Sequence, residues 1–247
     1  MLDHKLLGRW IDWLETIKLE LYWILVDRCV YRKMVEIVRN NPKTHDPNDF
    51  VTWCQRNYAA SASIRVRQQL DTDRRAISLK RLLQALEGKA TEITRAWYVE
   101  KCTSRRKARN DLQADLETQL VRRQFDKWSA PGLDHVDPAI VANDRREIED
   151  KCRSVKTYVD KRVAHRDKLP NSELDLPTWD QLDTAIDTLD QTTCNYVGLL
   201  QQGWMRTLTP TWQYEWTGVF EHAWKPVQGG ARSLSENGLL DGSRPNR

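Results

Sequence analysis

The sequence predicts an all-α protein: an antiparallel bundle of long helices with an irregular aromatic C-terminal segment. Three observations carry this. Apolar residues recur at intervals of three and four over long stretches. Only 10 Gly and 9 Pro serve 247 residues, and most of them cluster, which leaves long uninterrupted segments. Eleven Trp against three Phe point to broad helix–helix seams or an interface rather than a compact sheet core. Residues 1–227 read as one helical domain, and 228–247, rich in Gly, Ser and Asn, as a disordered tail.

The first helix is expected from Leu6 to Arg39, where Leu7, Trp10, Ile11, Leu14, Ile17, Leu21, Leu25, Cys29 and Val30 form the stripe. Trp13, Tyr22, Val26, Met34 and Val38 widen it, so more than one neighbour should bury this helix. The turn-rich run Asn40 to Asp49, with two prolines, ends it. A second helix follows from Asp49 or Phe50 to Leu70, with small residues from Ala59 to Ala62 that admit a close neighbour. After a polar connection, Asp71 to Ser78, Ser78 suits the N-cap of a short helix, Leu79 to Leu86, which Gly88 ends.

Thr91 to Trp128 reads as one long helix whose stripe lapses between Cys102 and Asn110. The lapse holds Arg105, Arg106, Lys107 and Arg109, without an aromatic among them; a solvated protrusion explains it more readily than a phosphate-binding patch. Ser129 to Pro138 is a connection, with Pro138 placed for the first helical position of a helix running to about His165. Leu169 to Thr178 is a further break, and Thr178 with Gln181 forms a capping box for the last helix, which ends near Gly203. Leu208 to Trp224 has neither helical nor strand period and is expected to pack back through its aromatics.

A net charge of +4 is too small an excess to identify a partner. The five cysteines are scattered and odd in number, with no metal-ligand spacing, and read as reduced core thiols of a cytoplasmic protein. Leu2 to Leu7 carries charge instead of the apolar core of a signal peptide, and the apolar run Leu21 to Val26 is too short to span a bilayer, so no membrane role is expected. There is no P-loop, GxGxxG or HExxH, and His4, His45, His135 and His222 are solitary; no metal or cofactor is expected. The carboxylate pairs Asp71/Asp73, Glu147/Asp150 and Asp183/Asp187 read as charge on exposed helix faces.

The stretch YVDKRVAHRDK, Tyr158 to Lys168, stands apart. On an α-helix Arg162 and Lys161 lie three and four positions before His165, which makes them its neighbours. A group that titrates near neutrality beside fixed positive charge suits the handling of a phosphodiester. The same composition also suits an ordinary solvated helix end, where cations are favoured.

Three segments occur in order: RVRQQLDTDRRAISLKRLL (Arg65 to Leu83), YVDKRVAHRDK (Tyr158 to Lys168) and LTPTWQYEW (Leu208 to Trp216). In these the chain resembles the abortive-infection AbiU-type branch of the HEPN superfamily, the higher-eukaryote-and-prokaryote nucleotide-binding helical domains. The resemblance runs from the first long helix to about Trp224, and KRVAHRD is its most specific part. It implies an RNA-directed protein of bacterial defence or toxin type: a homodimer acting as a metal-independent endoribonuclease that leaves 2′,3′-cyclic phosphate ends. RNA and an antitoxin or defence-system protein are the implied partners. His165 and Arg162 would be catalytic, with Lys161 and Arg166 binding RNA. The alternative is a non-catalytic HEPN-like module acting through dimerisation and Trp-rich surfaces. One departure bears on the choice. The family arginine stands with four to six residues between it and the histidine, and here those positions hold Asp160, Val159 and Tyr158.

Overall fold

The computed structural model describes residues 3–40, 49–104, 111–163 and 177–220. Among them are eight α-helices: α1 (His4–Asn40), α2 (Asp49–Gln68), α3 (Leu79–Glu87), α4 (Arg95–Ser104), α5 (Asp111–Phe125), α6 (Pro138–Lys151), α7 (Arg153–Tyr158) and α8 (Trp179–Gln201). No strand occurs among the described residues beyond an isolated bridge between Thr94 and His135. The predicted all-α class holds.

α1 is the axis of the body. It packs on α2, α3 and α8, which is why its apolar surface is so wide. Leu7, Trp10, Leu14, Ile17, Leu21, Ile24 and Leu25 are all buried. One turn further along, the buried position is Arg28, while the predicted seam residues Cys29 and Val30 are only half-buried. Arg28 reaches α8, where its Nη1 donates to Asp187 at 2.6 Å and lies 3.8 Å from Asp183. Arg32 meets Asp183 at 2.7 Å. The Asp183/Asp187 pair therefore clasps α1 to α8 rather than decorating a free face.

The caps follow the sequence. Ser78 Oγ accepts from the Arg81 amide, and Asp137 accepts from the Ala139 amide just ahead of Pro138. Thr178 and Gln181 make both hydrogen bonds of the capping box on α8. α8 ends at Gln201, two residues before Gly203, and its cap Gln202 takes the left-handed conformation, with φ 53°. Its side-chain amide donates to the carbonyls of Leu199 and Leu200, giving partners to acceptors the helix end would leave open.

The expected single helix over Thr91 to Trp128 is a hairpin. A straight α-helix would hold residues 95 and 126 roughly 45 Å apart at 1.5 Å per residue. Instead Arg95 Nη1 contacts Asp126 at 2.6 Å and the Arg122 carbonyl at 2.7 Å. Tyr98 packs on Phe125 and Trp128. Residues 105–110 between α4 and α5, where the sequence shows the lapse in the apolar stripe, lie outside the described residues.

The helix predicted from Pro138 to about His165 is, as far as Val163, one rod with changing pitch, and its last residues lie outside the described residues. At Cys152 α6 passes into α7, and the hydrogen bonds from Cys152 N to Ile148 O and from Lys156 N to Cys152 O keep the ladder running. Val159–Val163 then winds as a π-turn. The bends expected at Asn40 to Asp49 and Leu169 to Thr178 lie largely outside the described residues, as does the tail from 228.

The main body spans Met1–Thr211. Of the predicted aromatic segment, Leu208 belongs to it and is buried. The Asp190 carboxylate on α8 holds that residue, accepting from the Leu208 amide at 2.8 Å and from the Thr207 hydroxyl. A second unit begins at Trp212, and within it Trp212 packs against Tyr214 and Trp216.

Candidate functional site

The motif stretch begins where the α6–α7 rod changes pitch. π-turns arise from i→i+5 bonding and frequently accompany functional sites. Nothing in VDKRV is a helix breaker, so the sequence does not announce it. Lys161 and Arg162 have their backbone in this wider winding. Lys161 is half-buried here. Arg162 has its backbone in the turn; its side chain, together with His165 and Arg166, lies outside the described residues.

Asp160 is the best-defined group of the site. Its Oδ1 accepts from Arg67 Nε of α2 at 3.0 Å, and its Oδ2 pairs with Lys156 one turn back. Arg67 also meets Asp71 at 2.8 Å. Burial pushes the Asp160 carboxyl up, but the Lys156 and Arg67 hydrogen bonds outweigh it and hold the group below the ordinary aspartate range. Two of the three segments noted in the sequence, Arg65 to Leu83 and Tyr158 to Lys168, are thereby joined through Arg67 and Asp160.

The first of these segments is folded tightly on itself, which fixes Arg67. Asp71 accepts from the Asp73 amide and Asp73 from the Arg75 amide. The Ser78 hydroxyl donates to the Asp71 carbonyl, and the Gln69 side chain accepts from the Leu79 amide. Arg81 donates to the Arg74 and Ala76 carbonyls and lies over the Trp13 ring, with 4.9 Å to its centroid. The polar connection is a built corner between α2 and α3.

The ion pair is about one-third exposed on both sides, so its worth is set by solvent screening, on the order of 1 kcal/mol or less. Asp160→Asn should lower stability by about that amount at neutral pH. The sign follows from the lowered pKa: the contribution is full above the unfolded value and is lost as pH falls through the folded one. Thermal unfolding of wild type and Asp160→Asn should therefore converge below the ordinary aspartate value of 3.8. A gap that persists there would exclude the ion pair as its source.

Beside this cluster lies a slot of about 200 Å³, lined by Trp179 and Leu182 of α8, Tyr158 of α7, and Ala59 and Ser63 of α2. Trp179 is also stacked within the body on Tyr31 and Tyr58, with centroids 5.4 and 5.9 Å away. Across α7 a wider hollow of about 600 Å³ carries Lys151 and Arg153, but Asp150 and Asp180 offset their charge. That hollow is no focused anion site.

Other chemistries find no support among the described residues. No group of three His, Cys, Asp or Glu is placed there to hold a metal ion. Burial pushes the Cys152 and Cys194 thiols up to about 12, far from the thiolate a nucleophile requires. No described helix is long and apolar enough to cross a membrane.

The described residues form an all-α body, the class of a HEPN-type helical domain. The family model described as AbiU2, of HEPN type, matches residues 8–225, and the chain belongs to that family, whose theme is abortive-infection defence. No curated protein and no solved structure matches the chain.

Proposed function

We propose that this protein is an RNA-directed effector of bacterial defence, a metal-independent endoribonuclease that acts as a homodimer in the cytoplasm. The observation that carries the reading is the meeting of two family segments at the Arg67–Asp160 pair, which anchors the motif stretch to α2. In this reading a ribose 2′-OH attacks the adjacent phosphate, the P–O5′ bond breaks to leave a 2′,3′-cyclic phosphate, and His165 is the general acid or base, taking the 2′-OH proton or giving one to the departing 5′-oxygen. Arg162 stabilises charge on the phosphorane. Lys161 and Arg166 hold the flanking backbone, and no cofactor takes part. An antitoxin or defence-system protein would restrain the activity.

The direct test is fluorescence anisotropy with single-stranded RNA at several salt concentrations. Binding should weaken with salt, with a slope of about −0.7 per phosphate contact. Arg162→Ala should lower affinity and flatten the slope. Absence of RNA binding at low salt would end this reading.

A second reading has its own observations. Asp160 occupies a position where the family arginine would stand, and it is spent on Arg67 and Lys156. Leu19, Tyr22 and Trp23 are exposed on α1, and Leu116 and Leu120 on α5. Apolar side chains on a surface mark contact sites when they form a patch. In that reading the protein binds RNA or protein without cutting.

A further inference from the structure

We infer that the slot between α2, α7 and α8 is a base-binding subsite, which takes one unstacked nucleobase of a single-stranded RNA. The inference rests on the RNA-directed reading above and adds to it a place, a ligand group and a set of residues that the motif does not contain.

Size is the first argument. Pockets for drug-sized ligands run to roughly 300–1,000 Å³. A slot of about 200 Å³ suits one planar heterocycle and little more. Chemistry is the second. Trp179 and Tyr158 supply aromatic surface, and Leu182 and Ala59 supply aliphatic surface. A base has a π-face for the former and hydrogen-bonding edges that need polar partners. Those partners are present. Ser63 lines the slot and is 2 % exposed, and among the described residues its hydroxyl makes no hydrogen bond. That hydroxyl can donate to or accept from a base edge. The Tyr158 hydroxyl is likewise unengaged among the described residues.

Rigidity is the third argument. Trp179 does not swing free: its ring is stacked on Tyr31 and Tyr58, which are themselves stacked with centroids 4.4 Å apart. A fixed ring gives up little freedom when a base stacks on it. The capping box at Thr178 and Gln181 fixes the backbone that carries it. Position is the fourth. Ala59, Ser63 and Arg67 are spaced by four on α2, so slot floor and guanidinium share one helix face. Arg67 follows Ser63 by one turn, a rise of roughly 5.4 Å. Tyr158 likewise stands two residues before Asp160. A base in the slot would leave its sugar–phosphate beside Arg67, Lys156 and the start of the motif stretch. The small residues from Ala59 to Ala62, expected to admit a neighbouring helix, in part leave room for this slot.

The test is a binding titration with a ten-residue 2′-O-methyl oligo(A), which lacks the 2′-OH nucleophile and so reports binding without cleavage. An abasic backbone of equal length is the comparison. Wild type should prefer the base-bearing chain by roughly 5- to 100-fold, the range of one base–aromatic stack. Ala59→Leu fills the slot while leaving every aromatic in place, and should erase that preference without lowering affinity for the abasic chain. Trp179→Ala should do the same, and Trp179→Phe should retain most of the preference. Ser63→Ala, which a helix readily accepts, should reduce it in part. Thermal unfolding identifies any variant that fails to fold, and the folded variants decide. Should Ala59→Leu or Ser63→Ala leave the base-to-abasic ratio at the wild-type value, the slot assignment falls while RNA binding stands. Should wild type bind neither chain, the RNA-directed reading falls and the slot with it.

Discussion

Replacing His165 with alanine is expected to slow RNA cleavage by about 10²- to 10⁴-fold, the usual contribution of a positioned general acid or base. Thermal unfolding should be unchanged, because the proposed role of the side chain is proton transfer and not packing. Arg162→Ala should be nearly as damaging. Arg162→Lys should rescue only in part, since a guanidinium engages two phosphate oxygens at once and an ammonium does not. The measurement is a single-turnover rate on a labelled RNA, with the melting temperature of each variant beside it. A His165→Ala protein that folds and cuts at the wild-type rate would remove this residue from the chemistry. One that unfolds would make it a structural residue.

The largest expected loss of stability is at Trp10. It is 1 % exposed in the seam of the axial helix α1. Its indole N–H has no hydrogen-bond partner among the described residues, so its contribution is packing and apolar burial. Trp10→Ala should cost about 3–5 kcal/mol, a large share of the roughly 5–15 kcal/mol that holds a domain folded. The melting temperature should fall by roughly 10 °C. Trp10→Phe should cost much less, since it keeps a ring and removes an unsatisfied donor. Equal losses from the two substitutions would show that the indole is bonded after all.

Local features were legible because they depend on near neighbours in the chain. The α1 stripe, the Ser78 cap, Pro138 at the start of α6 and the Thr178/Gln181 box each follow from residues within a few positions of one another. The α4–α5 reversal was visible only as a lapse in the stripe. A charged run without Gly or Pro is compatible with helix, and only tertiary pairs such as Arg95 with Asp126 settle the fold-back. The π-turn has no residue signature in VDKRV.

The site divides in the same way. KRVAHRD was readable as a family motif, and His165 and Arg162 came from it. Arg67 was not readable as part of the site, because it stands 93 residues from Asp160 and only the packing of α2 on the rod joins them. Reading Asp183 and Asp187 as surface charge failed for the same reason: their partners, Arg28 and Arg32, lie on a distant helix. The slot draws on α2, α7 and α8, and neither Ser63 nor Trp179 has a local pattern that marks it.

The most direct test of the central claim is the chemistry of RNA ends. Purified wild-type protein would be incubated with total RNA in excess chelator, and the fragment termini mapped. The account predicts cleavage that persists in chelator and gives 2′,3′-cyclic phosphate ends, absent from the His165→Ala reaction. RNA left intact, or fragments ending in 3′-hydroxyl groups, would contradict it.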